Sequence, residues 1–298
     1  MYESHFGLSE LPFSITPDTS FFFGSPHSQE GLNTLLVAAR SGEGFIKITG
    51  EVGTGKTLLC RKFMAMLGDG FVTAYVPNPY LEPRALMMAL ADELEIVLPR
   101  DVDQHQLVKS LTMRLLELAV RGQHVVLCLD EAQALPLESL EALRLLTNLE
   151  TEKRKLLQIV LFGQPELNAH LASPKIRQLA QRITFHYHLG ALQRDDLDYY
   201  LAHRLRVAGF TGARLFSARA VRRMFRATGG IPRLVNIVAH KALMLAYGEG
   251  RHMVEQRHVA LAAGDTIGTR PARGLRWAWL ACAAALAAAG GIALALTR

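Results

Sequence analysis

The chain has 298 residues, half of them apolar and a fifth charged, which is enough for one large domain and a small one and excludes a disordered or fibrous chain. Its net charge of +6 is gathered at one end, because Arg270, Arg273, Arg276 and Arg298 follow Asp265 with no acid among them. Without those four the balance is +2, so the body of the chain carries no nucleic-acid signature and nucleic acid is not expected among its partners.

The opening residues, from Phe6-Gly7-Leu8 through Pro12-Phe13 to Phe21-Phe22-Phe23, read as an ordered loop packed on a core. Met1 to Ser9 lacks the apolar core of a signal peptide, so the N-terminus is expected in the cytosol. Ser25 followed by Pro26 is a helix start, a serine cap ahead of a proline in the first turn, and the helix is expected to run to about Ser41. Five short apolar runs follow, at Phe45 to Thr49, Phe71 to Val76, His124 to Leu129, Leu156 to Phe162 and Ile183 to His188. Helical spacing fills the intervals at Lys56 to Leu67, Pro83 to Glu95, Gln104 to Arg121 and Leu137 to Thr151. Strands alternating with helices predict a parallel five-stranded sheet flanked by helices on both faces. The run at His124 to Leu129 is nearly continuous in apolar residues and predicts a central strand. From Gln193 onward the patterns are helical only, at Arg194 to Val207, Ser217 to Thr228, Arg233 to Tyr247 and Glu255 to Ala263, which predicts a second, α-helical domain. Cys60, Cys128 and Cys282 form no CxxC pair and read as small buried hydrophobes in a reducing compartment.

Gly50-Glu51-Val52-Gly53-Thr54-Gly55-Lys56-Thr57 is a complete phosphate cradle, and Leu58 continues into the helix that it opens. Converging backbone N–H groups on one anion takes the chain through conformations that glycine tolerates best. Lys56 supplies a cation for the β- and γ-phosphates, the Thr57 hydroxyl can ligate Mg²⁺, and the helix dipole favours the anion. The third run ends in Asp130-Glu131. An aspartate there can hold Mg²⁺, and the neighbouring glutamate can orient or deprotonate the attacking water. No Asn-Lys-x-Asp sequence for reading guanine is present, so ATP is the expected nucleotide and hydrolysis the expected reaction.

Taken with Phe6-Gly7-Leu8, Pro12-Phe13, Thr16-Pro17-Asp18, Asp130-Glu131-Ala132-Gln133, Phe162-Gly163-Gln164-Pro165-Glu166-Leu167 and Gly230-Ile231-Pro232-Arg233, the cradle resembles the AAA+ superfamily, and within it the ExeA/GspA group of secretion ATPases. The similarity covers residues 1 to 265 and is greatest to the group's type IV (MSHA) pilus branch. The resemblance implies an AAA+ nucleotide-binding domain over 1–190 and a helical lid over 191–265. It implies that Gln164 occupies the sensor-1 position near the γ-phosphate or lytic water, where many relatives carry Asn or Thr, and that Arg233 is sensor 2. Arg182 would be an arginine finger entering a neighbouring subunit's site, with Arg177 as the competing candidate, so a homo- or hetero-oligomer is implied, together with pilus or secretion assembly proteins as partners. The group's periplasmic peptidoglycan-binding segment is not found before Arg298, which favours the shorter pilus-type relative.

Residues 266–276 read as a basic linker. Trp277 to Leu296 is uncharged and has the roughly 20 residues that span a bilayer core. Arginines on its N-terminal flank keep that flank cytosolic, so a single transmembrane helix in a bacterial inner membrane, with the ATPase in the cytoplasm, is expected; the alternative is an apolar helix docked on protein. His186 and His188 share a strand face but suggest no third metal ligand, Tyr199-Tyr200 reads as lid packing, and Lys153-Arg154-Lys155 as a solvated turn. The expected function is a membrane-associated ATPase that assembles or remodels a pilus or secretion complex. The rival is a nucleotide-operated DNA-binding ATPase of the transposition or replication-initiation type.

Overall fold

The computed structural model describes residues 2–77, 79–147 and 155–270, and the chain divides into two compact units. One runs from Thr16 to Leu192; the other joins the segment up to Ile15 to everything described from Gln193 on.

The first unit is a five-stranded, wholly parallel sheet in the order β2-β3-β4-β1-β5, formed by β1 (Phe45–Thr49), β2 (Phe71–Val76), β3 (His124–Leu129), β4 (Leu157–Gly163) and β5 (Ile183–His188). All five apolar runs are strands, with β4 lying one residue later than its run. β3 and β4 are interior and almost wholly buried, whereas β5, at an edge, alternates half-buried and exposed residues. The pleat sends alternate residues to opposite faces. Phe45, Leu127, Ile159 and Leu161 join the core on one side, and Ile46, Ile48, Cys128, Val160 and Phe162 that on the other. Cys60 and Cys128 are both buried free thiols in the second of these cores.

After the short α1 (Glu3–Phe6), which belongs to the other unit, α2 (Pro26–Arg40) starts at the Ser25 cap, whose hydroxyl accepts from Ser28 N. α2 and α3 (Lys56–Met66) cover one face of the sheet. α4 (Pro83–Glu93), α5 (Gln104–Val120) and α6 (Leu137–Leu146) cover the other, with the short α7 (Glu166–Leu171) and α8 (Arg177–Ala180) behind them. α6 ends at Leu146 with Thr147 as its cap; the rest of the longer helix expected there, with Lys153 and Arg154, lies outside the described residues. The Thr16-Pro17-Asp18 turn packs by α3, where Arg61 donates to the Pro17 carbonyl (2.8 Å).

The second unit is helical: α9 (Asp196–Val207), α10 (Ala218–Thr228), α11 (Pro232–Gly248) and α12 (Gln256–Gly264), with a single parallel bridge between Phe216 and Val254. The opening segment is part of this unit, so the expected boundary that placed residues 1–15 with the nucleotide-binding domain needs correction. Buried Arg204 on α9 reaches the carbonyls of Pro12 and Ser14, Ser9 pairs with Ala208, and Tyr2 bonds His240 on α11. Those buried carbonyls need donors, and a guanidinium on α9 supplies them.

Among the described residues no helix is long and apolar enough to cross a membrane. The stretch expected to do so, Trp277 to Leu296, and most of the basic linker lie outside the described residues.

Candidate functional site

In the sheet order, β4 lies between β1 and β3, so the segments that leave the C-terminal ends of these three strands converge at one edge, the usual place for a ligand in a parallel α/β sheet. The cradle leaves β1, Asp130-Glu131 leaves β3, and Gln164 leaves β4.

The cradle is shaped by its glycines. Gly53 and Gly55 hold φ of 81° and 101°, in the left-handed region that disfavours a side chain. At Gly50 an added Cβ would lie 2.7 Å from the Leu189 carbonyl and 2.9 Å from the Thr54 hydroxyl. Thr54 closes the loop on itself, its hydroxyl donating to Glu51 O (2.9 Å). Lys56 is 5 % exposed, and its ammonium donates to Gly50 O (2.8 Å) and Glu51 O (3.0 Å), which aims it along the inside of the loop. Burial lowers the Lys56 pKa, and the carboxylates of Glu131, Asp130, Glu51 and Glu166 work against that shift.

The Thr57 hydroxyl donates to Asp130 Oδ2 at 2.5 Å, uniting residues 73 positions apart. Asp130 is 3 % exposed; burial raises its pKa, opposed by the Thr57 hydroxyl and the Glu131 backbone N–H. A hydroxyl and a carboxylate of this kind are the hard oxygen donors that suit Mg²⁺, so the residues present fit that ion. Tyr75 on β2 adds a hydroxyl 3.4 Å from the same Asp130 oxygen, and burial with the Asp130 charge pushes its own pKa to about 12.

Glu131 stands in the left-handed region (φ 54°, ψ 38°), a conformation in which a non-glycine residue is strained by about 1–3 kcal/mol and which concentrates at functional sites. Two amides clamp its carboxylate: Gln133 Nε2 (2.6 Å) and Gln164 Nε2 (3.0 Å) both donate to Oε2. Gln133 in turn accepts the Gln164 backbone N–H on Oε1 (2.9 Å). Burial raises the Glu131 carboxyl, but the Gln164 and Gln133 amides and the Lys56 charge outweigh it, so it stays below its ordinary range.

Gly50 to Leu58, Asp130, Glu131 and Gln164 therefore stand at one edge of the sheet. Of the arginines in the same unit, Arg177 and Arg182 do not join them there. Arg182 precedes β5 at the opposite end of the sheet, since Phe45 pairs with Ile183 and Thr49 with His188. It donates to Arg144 O and Thr147 Oγ1 (3.3 Å each). Arg177 is exposed at the start of α8. Arg233 is exposed in the first turn of α11, in the helical unit, after two successive left-handed glycines, Gly229 and Gly230. His188 bonds Thr49 (3.3 Å), and no metal-binding group of His, Cys, Asp or Glu occurs among the described residues. Buried Tyr200 bonds Asn236 (2.7 Å) while Tyr199 is exposed.

Sequence reasoning assigned no role to Gln133 or Tyr75. Gln133 lies two residues after Glu131 in a motif that is visible in the chain, but its amide finds Glu131 and Gln164 only through the turn after β3. Nothing in the sequence marks Tyr75, which reaches Asp130 because β2 and β3 pair in register, Tyr75 opposite Cys128.

A family model described as an AAA domain matches residues 39–171. General secretion pathway protein A of Aeromonas hydrophila is 43% identical over 270 residues, covering 91% of this chain and 49% of that protein; the chain thus spans about half the length of the curated relative it matches. Among solved structures, the ORC2 protein of Aeropyrum pernix in its ADPNP–ADP complexes aligns with a TM-score of 0.64 at 17% identity, covering 86% of this chain and 73% of that one. Cdc6p from Pyrobaculum aerophilum aligns at 0.65 and 21%, covering 82% and 70%. At those identities the two structures establish the fold alone. The AAA-domain match and the 43% identity to General secretion pathway protein A bear out the resemblance to the AAA+ superfamily and its ExeA/GspA group.

Proposed function

We propose that this chain is an Mg²⁺-dependent ATP hydrolase whose turnover assembles or remodels a secretion or type IV pilus complex at a bacterial inner membrane. The observation that carries the hydrolytic part is the clamped Glu131 carboxylate, held ionised beside Lys56 and the Thr57–Asp130 pair.

In this reading the backbone N–H groups of 53–57, at the N-terminal end of α3, bind the ATP phosphates, and Lys56 balances their charge. Thr57 and Asp130 would hold Mg²⁺, which when bound would neutralise charge at the phosphates. Glu131 accepts a proton from the water whose oxygen bonds to the γ-phosphorus as the bond to the ADP oxygen breaks. Gln164 and Gln133 fix the direction in which that carboxylate points, and Gln164 orients the same water. Arg233 serves as the lid's sensor, and an arginine of a neighbouring copy, Arg177 or Arg182, completes the site in trans.

The cellular role rests on the name and the 43% identity of the secretion-pathway relative. Membrane attachment rests on the apolar stretch at 277–296 and its arginine flank. Lys56→Ala is expected to abolish nucleotide binding by calorimetry. Glu131→Gln is expected to keep binding and lower phosphate release by about 10²–10⁴-fold; turnover at the parent rate in that variant would remove Glu131 from the mechanism.

A further inference from the structure

One face of α10 is made of arginine. At 100° per residue Arg219, Arg222, Arg223 and Arg226 fall within an arc of roughly 100°, the i, i+3, i+4, i+7 spacing of a single stripe. Arg219, Arg222 and Arg226 are exposed and Arg223 half-buried, and the helix contains no acid. Its other face is buried through Ala220, Val221, Met224 and Ala227, and Ser217 caps its start, so the stripe is fixed on a rigid support.

Among the described residues none of the four has an ion pair or side-chain hydrogen bond. The acid that shares a shallow cavity with Arg219 is Glu255, which pairs with Arg257. Like charges at these spacings repel and cost the helix a few tenths of a kcal/mol per pair, so the stripe does not serve the stability of the fold.

The chain later returns to this helix. Arg270 N donates to Ala227 O (2.7 Å), and its guanidinium lies 3.2 Å from where a Cβ on Gly229 would be, which sets a fifth arginine at the end of the stripe. From Arg270 the sequence reaches Trp277 in seven residues, a span of at most about 25 Å. Arg273 and Arg276 lie on the way, and the uncharged stretch follows. Exposed apolar side chains accompany these arginines: Met253 shares a cavity with Arg219, and Ile267, 99% exposed, stands three residues before Arg270.

We propose that the α10 stripe binds the phosphate headgroups of an anionic bilayer, beside the point where residues 277–296 enter it. This rests on the membrane attachment argued above. The tether length restricts α10 to the neighbourhood of the membrane surface, and cationic side chains next to exposed apolar ones suit the boundary between headgroups and acyl chains. A duplex backbone would use the charges but not Met253 and Ile267.

The test is flotation of the full chain with phosphatidylcholine vesicles and with vesicles that also contain phosphatidylglycerol. Parent protein is expected to prefer the anionic vesicles, with the preference falling as salt is raised. Replacing all four arginines by Gln is expected to lower that preference by about five-fold per arginine, and replacing all four by Lys to keep it. An Arg222→Gln, Arg226→Gln double variant, changing two exposed side chains only, gives the same reading should the quadruple variant not fold. An unchanged anionic preference in the folded Gln variants overturns the proposal. Stripe-dependent retention of duplex DNA without any vesicle preference overturns it in favour of nucleic acid. Resistance of neutral-vesicle binding to alkaline carbonate reads the apolar anchor alone, so losing that signal while the anionic preference stays would sink the anchor and uphold the stripe.

Discussion

Glu131 and Asp130 are adjacent carboxylates with opposite shifts, and the difference lies in their partners. Asp130 is deeply buried and its pKa is raised, so its ionised form is disfavoured in the fold and is lost, as pH falls, earlier than for an ordinary aspartate. Glu131 is held below its usual range by the two amides and Lys56; its contribution to stability is present above the usual carboxylate value and disappears as pH falls through the lowered one. In the metal-free protein, Mg²⁺ affinity is therefore expected to weaken as pH falls through the raised Asp130 value while Glu131 is still ionised, read in Mg²⁺ titrations across pH. Gln133→Leu removes one clamp, raises the Glu131 carboxyl and leaves the Gln164 N–H without its acceptor. Turnover is expected to fall about 10²-fold with nucleotide affinity kept, as suits a positioning residue.

At the scale of elements, the cradle depends on tight approach between β1 and the segment after β5. Gly50→Ala drives a methyl against the Leu189 carbonyl and Thr54, and is expected to lower stability by about 1–3 kcal/mol in denaturant unfolding and to weaken nucleotide binding with it. In the helical unit the Ser217 hydroxyl satisfies Ala220 N at the start of α10. Ser217→Ala is expected to cost about 1 kcal/mol, read as a lowered midpoint, with turnover chemistry untouched.

For the whole molecule, turnover is expected to rise more than linearly with protein concentration if the site is completed by a neighbour. The two candidate fingers differ in freedom. Arg182 is bonded to Arg144 and Thr147 at the end of α6, whereas Arg177 is exposed. Arg177→Ala is expected to abolish that concentration dependence while nucleotide binding remains, and Arg182→Ala to show its main effect as lower stability; the reverse pattern, in phosphate-release and melting measurements, would assign the finger to Arg182.

The sequence by itself determined the strands, most of the helices and the residues proposed to meet a phosphate. These are local matters: period-two and helical patterns, caps, and a glycine-lysine-threonine run with one feasible use. Gly50 to Thr57 and Asp130-Glu131 were legible because their chemistry is written in consecutive residues. The Glu131 clamp was not, since Gln133 and Gln164 are linked only by the packing of the turns after β3 and β4. The placement of residues up to Ile15 was equally hidden: their aromatics promised burial, but it took Arg204 and His240, some two hundred residues away, to choose the surface. The arginines of α10 could be counted in the chain, yet only the packed helix showed that they share one face with no partner among the described residues. Short-range order is set by neighbours in sequence; which buried polar groups find each other is decided when distant segments compete for the same donors and acceptors.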